Sequence, residues 1–211
     1  MAQPTAIIES TGVEGCNGSS SLAPALATIG HGQTFLAQYG SYTHNFKLLF
    51  YEESMEIRRF RTGDESALFQ VFLSAVHDIA SRDYTTAQIE AWAQADRAPE
   101  VWASRMRELR PFIAEAEGEI AGYADIQPNG YIDHFFVSGA YSRQGVGTLL
   151  MSRIHDEAEL LGISELTAEV SKTAEPFFLR HGFQVVQRGF PIRQGVILQN
   201  ALMRKDLHHK T

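Results

Sequence analysis

The chain has 211 residues, 44% of them hydrophobic and 20% charged, which fits one ordinary globular domain with room for an added segment. Its formal net charge of −7 sets it against a phosphate backbone, and a single cysteine, Cys16, excludes an intramolecular disulfide framework and points to a reducing, cytoplasmic setting. No apolar run approaches the ~20 residues of a membrane-spanning helix, no Lys/Arg run exceeds "IRRFR" (57–61), and no Cys/His spacing suits zinc, so neither membrane, nucleic acid nor metal is expected.

The first fifty residues read differently from the rest. Through residue 46 the only charged side chains are Glu9 and Glu14, and "GVEGCNGSSSLAP" is rich in Gly and Ser. Such a segment buries too little apolar surface to offset the entropy of ordering it. "LAPALATIG" (22–30) has the apolarity of a signal-peptide core, but no Lys or Arg precedes it. The character changes at Met55. We therefore expect a flexible or non-native extension over 1–54 and a domain over 55–211, with the working protein starting at Met55.

From Met55 the elements follow in order. "EIRRF" (56–60) reads as a strand. Thr62 and Glu65 have capping-box spacing before a helix with Leu68, Phe69, Phe72, Val76 and Ile79 at helical intervals. Thr85 and Gln88 repeat the box before "IEAWAQ", and Pro99 suits the first turn of "PEVWASRMREL". Two strands flank "EGE" within 111–127, a hairpin signal, and "YIDHFFV" (131–137) reads as one further strand. A helix follows with the stripe Leu150, Ile154, Ala158 and Leu161, closed by Gly162. "ELTAEVS" is a strand, "TAEPFFLRHGF" a short helix ending at Gly182, and two strands finish the chain. The fold class is α/β with a mixed sheet.

"YSRQGVGTLL" (141–150) lies between a strand and a helix. A glycine-rich turn there leaves backbone N–H groups pointing out of a helix N-terminus, where the helix dipole adds partial positive charge; the pair suits phosphate. A Walker loop needs Gly-Lys-Ser/Thr, and here Gly147 precedes Thr148 with no Lys; a dinucleotide fingerprint needs a third Gly where Leu150 stands. Taken alone the turn is equally a tight connection.

Its surroundings decide between the two. "FFVSGAYSRQGVGTLLM" resembles the acetyl-CoA motif of the GNAT N-acetyltransferases: an apolar strand ending in Val, then Arg/Gln-x-x-Gly-x-Gly/Ala opening a helix. The resemblance runs over about all of 55–211 and includes "HGF" near the end; "YTTAQIEAWA" and "RQGVILQNALMRKDL" look like a bacterial small-molecule subgroup. It implies a central, mostly antiparallel mixed sheet flanked by helices. It implies direct acetyl transfer from acetyl-CoA to the amine of a small molecule or peptide; many relatives are homodimers. Binding would fall to Phe135, Phe136, Val137, Ser142, Arg143, Gln144, Gly145, Val146, Gly147 and Thr148, with Ser142 departing from the family's first Arg/Gln.

By the same resemblance, a backbone N–H of Phe136 or Val137 would hold the oxyanion, and Asp133 is the favoured base, with His134 second. Strand alternation places Asp133, Phe135 and Val137 on one face and His134 with Phe136 on the other. The family's usual acid, a Tyr, is Phe178 here; Tyr84, Tyr131 and Tyr141 are alternatives. Phe178 also supports a rival reading as an acyl-CoA-binding or sensor domain without turnover.

Overall fold

The computed structural model describes residues 6–7, 27–29, 33–35, 55–94 and 98–207. Most of the 1–54 extension thus lies outside the described residues. Residues 12–54 form one compact unit, in which β2 (Ala27–Ile29) and β3 (Gln33–Phe35) pair antiparallel. The other unit joins residues 1–11, with the two-residue strand β1 (Ala6–Ile7), to residues 55–211.

This second unit opens with β4 (Met55–Arg59) and α1 (Glu65–Ser74). The Thr62 box does not form; the N-cap is Asp64, without a side-chain cap. Arg58 explains the shift. Its guanidinium grips Asp64 at 2.7 and 2.9 Å and Glu115 at 2.7 Å, while Glu65 turns back to accept the Gly63 N–H and the Arg107 side chain. α1 runs on through a π turn (Ala75–Ile79) and a 3₁₀ turn (Ala80–Arg82). The Thr85–Gln88 box does form at α2 (Thr86–Trp92), and Pro99 opens α3 (Pro99–Leu109).

β5 (Phe112–Ala116) and β6 (Glu119–Ala124) make the expected hairpin, with Glu117 and Gly118 both at positive φ. "YIDHFFV" is not one strand. It divides into β7 (Tyr131–Ile132) and β8 (Phe135–Val137), which belong to different sheets. After β8 come α4 (Val146–Leu160), β9 (Glu165–Ser171), α5 (Glu175–Arg180), β10 (Gln184–Gly189), the small hairpin β11 (Ile192–Arg193) and β12 (Val196–Ile197), and β13 (Asn200–Asp206).

A five-stranded sheet runs β1-β8-β6-β5-β4 and a four-stranded one β10-β13-β9-β7. Only β1–β8 and β7–β9 pair parallel among the described strands, so the mixed, mostly antiparallel architecture is as expected. One core lies under α4 and α5, with Phe135, Val137, Leu150, Ile154 and Phe178; the other lies under α1 to α3, with Phe72, Trp102, Tyr123 and Phe136. Leu161, read as part of the α4 stripe, is 54% exposed; Val146 and Met151 complete the buried face instead.

α4 can lie close on β6 because Gly122 has no side chain. A Cβ there would meet the Phe136 carbonyl oxygen at 2.8 Å and Val146 Cγ1 at 2.9 Å. That contact brings the start of α4 beside the end of β8.

Candidate active site

The turn before α4 is shaped by two left-handed residues, Arg143 (φ 64°) and Gly145 (φ 89°). Gly145 is the N-cap of α4, and a Cβ on it would find only Met55 Cε, at 3.7 Å. The first intrahelical bond is donated by Leu149 to the Gly145 carbonyl, so the N–H groups of the preceding first turn point out of the helix end. Side chains and backbone around this end form a cleft of about 160 Å³ lined by Val137, Tyr141, Ser142, Arg143, Gly145, Val146, Gly147, Thr148, Phe177 and Arg180. A larger groove of about 350 Å³, between α1 and α3, contains none of the turn and is no part of this site.

Of the ten residues expected to bind the cofactor, seven therefore line one cleft. Phe135 and Phe136 are buried in the two cores on either side of the sheet. Gln144 turns away, its Nε2 donating to the Ala140 carbonyl at 3.0 Å. Phe177 and Arg180 were not anticipated, and Tyr141 was named only as an alternative acid. The turn itself is tied to α1: the Gly139 N–H donates to Ser74 Oγ at 3.0 Å, and Ser74 Oγ donates to Asp78 at 2.6 Å.

Upstream, β8 has two edges. The Ser138 N–H donates to the Ala121 carbonyl and the His134 carbonyl accepts from Asp125, so even-numbered residues turn their backbone toward β6. Alternation then turns the backbone N–H of Phe135 and Val137 to the other edge. Between Phe136 and Val137, the one facing outward beside the cleft is Val137. Along this edge β1 runs parallel, with Ala6 opposite Phe135 and Ile7 opposite Phe136.

Asp133 and His134 sit where the chain passes from one sheet to the other, and this overturns their expected separation. Asp133 does not share the face of Phe135 and Val137. Its carboxylate reaches α3, 2.5 Å from an Arg105 nitrogen and 3.8 Å from His134 Nε2. The His134 imidazole is 8% exposed, packs against Trp102 and Phe136, and places Nδ1 3.2 Å from the Tyr123 hydroxyl. The cause is the switch of sheet: β7 follows β9 and β8 follows β6, so simple alternation does not hold across 133–134.

A second carboxylate stands behind this pair. Asp125 is 1% exposed, accepts the His134 N–H at 2.5 Å and the Gln127 amide at 2.5 Å, and burial pushes its pKa up to about 7. Nothing in the sequence marked it, because the group that meets it lies across a β6–β8 pairing.

Phe178 is fully buried. Among the alternative tyrosines, Tyr141 lines the cleft. Tyr84 is committed elsewhere: its hydroxyl donates to the Gln199 carbonyl and accepts the Lys172 N–H, and burial pushes its pKa up to about 12. Tyr84 packs edge-on against Trp92, which is 1% exposed, and both belong to the core. Arg188 is held by Glu175. No group of three or more possible metal ligands occurs among the described residues, and no described helix is long and apolar enough to cross a membrane.

A family model described as an acetyltransferase (GNAT) domain matches residues 80–205. An uncharacterized N-acetyltransferase of Escherichia coli, YafP, is 33% identical over 156 residues, which is 74% of this chain and 99% of its own. Among solved structures, a GCN5-related N-acetyltransferase from Rhodopseudomonas palustris superposes with a TM-score of 0.69 at 28% identity, covering 72% of this chain and 95% of that one. The PaiA N-acetyltransferase of Thermoplasma acidophilum, solved with coenzyme A, shares the fold at 18% identity and a TM-score of 0.57, over 72% of this chain and 99% of its own. With a family model covering more than half of its length and a relative this similar over nearly its whole extent, the chain belongs to the GNAT family of N-acetyltransferases.

Proposed function

We propose that the protein transfers an acetyl group from acetyl-CoA directly to the amine of a small molecule or peptide. The observation that carries this reading is the left-handed Gly145 at the head of α4, whose first-turn N–H groups open into the cleft. Such a helix end accepts a diphosphate, and the absent Cβ leaves space for it. Arg143, Arg180, Ser142 and Thr148 add charge and hydroxyl donors around the same space. The likeness in fold to a PaiA enzyme solved with coenzyme A and to YncA of Salmonella typhimurium solved with acetyl-CoA supports the choice of ligand.

An amine attacks only when neutral, and Asp133, oriented by Arg105, takes its proton. The nitrogen–carbon bond forms and the carbonyl oxygen gains the electron pair; the Val137 N–H donates to that oxyanion. The pair returns, the carbon–sulfur bond breaks, the thiolate leaves, and the nitrogen's remaining extra proton passes to that thiolate, giving a neutral amide and free coenzyme A thiol. A thiol has a pKa of about 8.5, against about 10.4 for an alkylamine, so the thiolate departs without an acid from the protein. Buried Phe178 is compatible with that route.

Phe178 also supports a second reading, a domain that binds acyl-CoA without turnover. Incubation with acetyl-CoA and an amine panel, following free thiol, separates the two. Acceptor-dependent thiol release supports the transferase. Thermal stabilisation by acetyl-CoA with no thiol release from any amine supports the sensor.

A further inference from the structure

We propose that His155, His181 and Lys205 form a subsite for a phosphate monoester dianion at the outer end of the cleft, filled by the 3′-phosphate of coenzyme A; this rests on the acetyl-CoA reading above. Three basic side chains from three elements converge here. Lys205 Nζ of β13 lies 2.8 Å from His155 Nε2 of α4. A Cβ on Gly182, the residue after His181, would fall 3.5 Å from Lys205 Cε and 3.8 Å from Nζ, so the lysine lies over the end of α5. Among the described residues no carboxylate forms an ion pair with any of the three. Asp156 of α4 and Arg180 of α5 are the remaining charges felt there, one of each sign.

Gathering like charges in partial burial is costly unless an anion answers them. The free protein avoids the cost by keeping the imidazoles neutral. Burial first, then the Lys205 charge, lowers His155 to about 4, and the same causes lower His181. A dianion reverses both effects by favouring the protonated rings. Neutral His155 accepting from Lys205 is thus the resting arrangement, and protonation of the rings as a phosphate enters turns all three side chains into donors.

The subsite is continuous with the cleft. Phe177 and Arg180 line the cleft, and the His181 ring sits against Phe177 with centroids 4.3 Å apart. His155 follows Thr148 by one heptad, within about 20° of the same helix face and about 10 Å along the axis. Helix side chains lean toward the N-terminus, so the imidazole covers surface nearer the turn than its own Cα. A diphosphate at the turn and a 3′-phosphate at His155 are separated by one ribose.

Titration calorimetry of the full chain with coenzyme A and with 3′-dephospho-coenzyme A tests this. Wild type is expected to favour coenzyme A by tenfold or more, and more strongly at pH 6.5 than at pH 8. His155→Gln and Lys205→Met are each expected to bring the ratio close to one while leaving dephospho-coenzyme A affinity in place. His181→Asn, a half-exposed ring, serves if either of those variants fails to fold, and is expected to flatten the pH dependence. Inorganic phosphate is expected to weaken coenzyme A binding and spare dephospho-coenzyme A. Equal affinities in wild type, or a ratio unmoved in folded variants, overturns the subsite alone. Phosphate competing equally with both ligands places the anion in the glycine turn and also overturns it. Binding of neither ligand overturns the acetyl-CoA reading, and the subsite with it.

Discussion

Two residues test the site one at a time. Gly145 combines φ 89° with an open cradle. Gly145→Glu puts a strained backbone and a carboxylate where the diphosphate would lie, and we expect acetyl-CoA binding by calorimetry to vanish; retained micromolar binding would remove the turn from the site. Asp133→Asn keeps the shape of the side chain and loses its basicity. Turnover should fall by about 10²–10⁴-fold with acetyl-CoA affinity nearly unchanged, and an unaltered pH–rate profile would move the base elsewhere. Asp125 bears on stability instead. Its pKa rises from the ordinary carboxylate range to about 7 on burial, so between pH 4 and 7 the native state holds a proton that the unfolded state has released. Stability from this group is present in full below pH 4, declines as pH rises to 7, and is level above. In urea denaturation across that range, Asp125→Asn should remove this decline; parallel curves for the two proteins would refute the assignment.

At the scale of elements, the meeting of β6 and α4 depends on the bare backbone of Gly122. A methyl group there contacts a carbonyl oxygen of β8 at 2.8 Å, and backbone yields less readily than a side-chain tip. Gly122→Ala is expected to cost about 1–3 kcal/mol in denaturant titration and to raise the KM for acetyl-CoA by tilting the head of α4. A variant with wild-type stability and KM would show that the two elements can part freely. Much at this scale was legible in the sequence, because caps, prolines and tight turns act locally: the Thr85–Gln88 box, Pro99 and the Glu117–Gly118 turn all form as read. The break within "YIDHFFV" was not legible. No Gly or Pro marks it, since the cause lies in partners distant along the chain, β9 for one half and β6 for the other. The same non-local origin hid Arg105, Asp125, Phe177 and Arg180. It also put Asp133 on the wrong side of the sheet, since alternation assumes an unbroken strand. Thr62 misled for a different reason, a guanidinium that claimed Asp64 first.

For the whole molecule, the active half gathers into one unit, and a stretch from the far N-terminus joins it. β1 lies along the very edge to which Val137 turns its N–H, and it also touches β9. One N–H cannot serve a peptide carbonyl and a thioester oxyanion together. Residues 6–7 are therefore expected to compete with acetyl-CoA from within the chain, independently of protein concentration and less as acetyl-CoA rises. A chain starting at Met55 should show a lower KM for acetyl-CoA at unchanged kcat, and a peptide of residues 1–11 supplied in trans should raise it again. Identical KM values with and without the segment would mean that the edge is free during turnover. If the difference holds, residues 6–7 set part of the enzyme's sensitivity to its co-substrate.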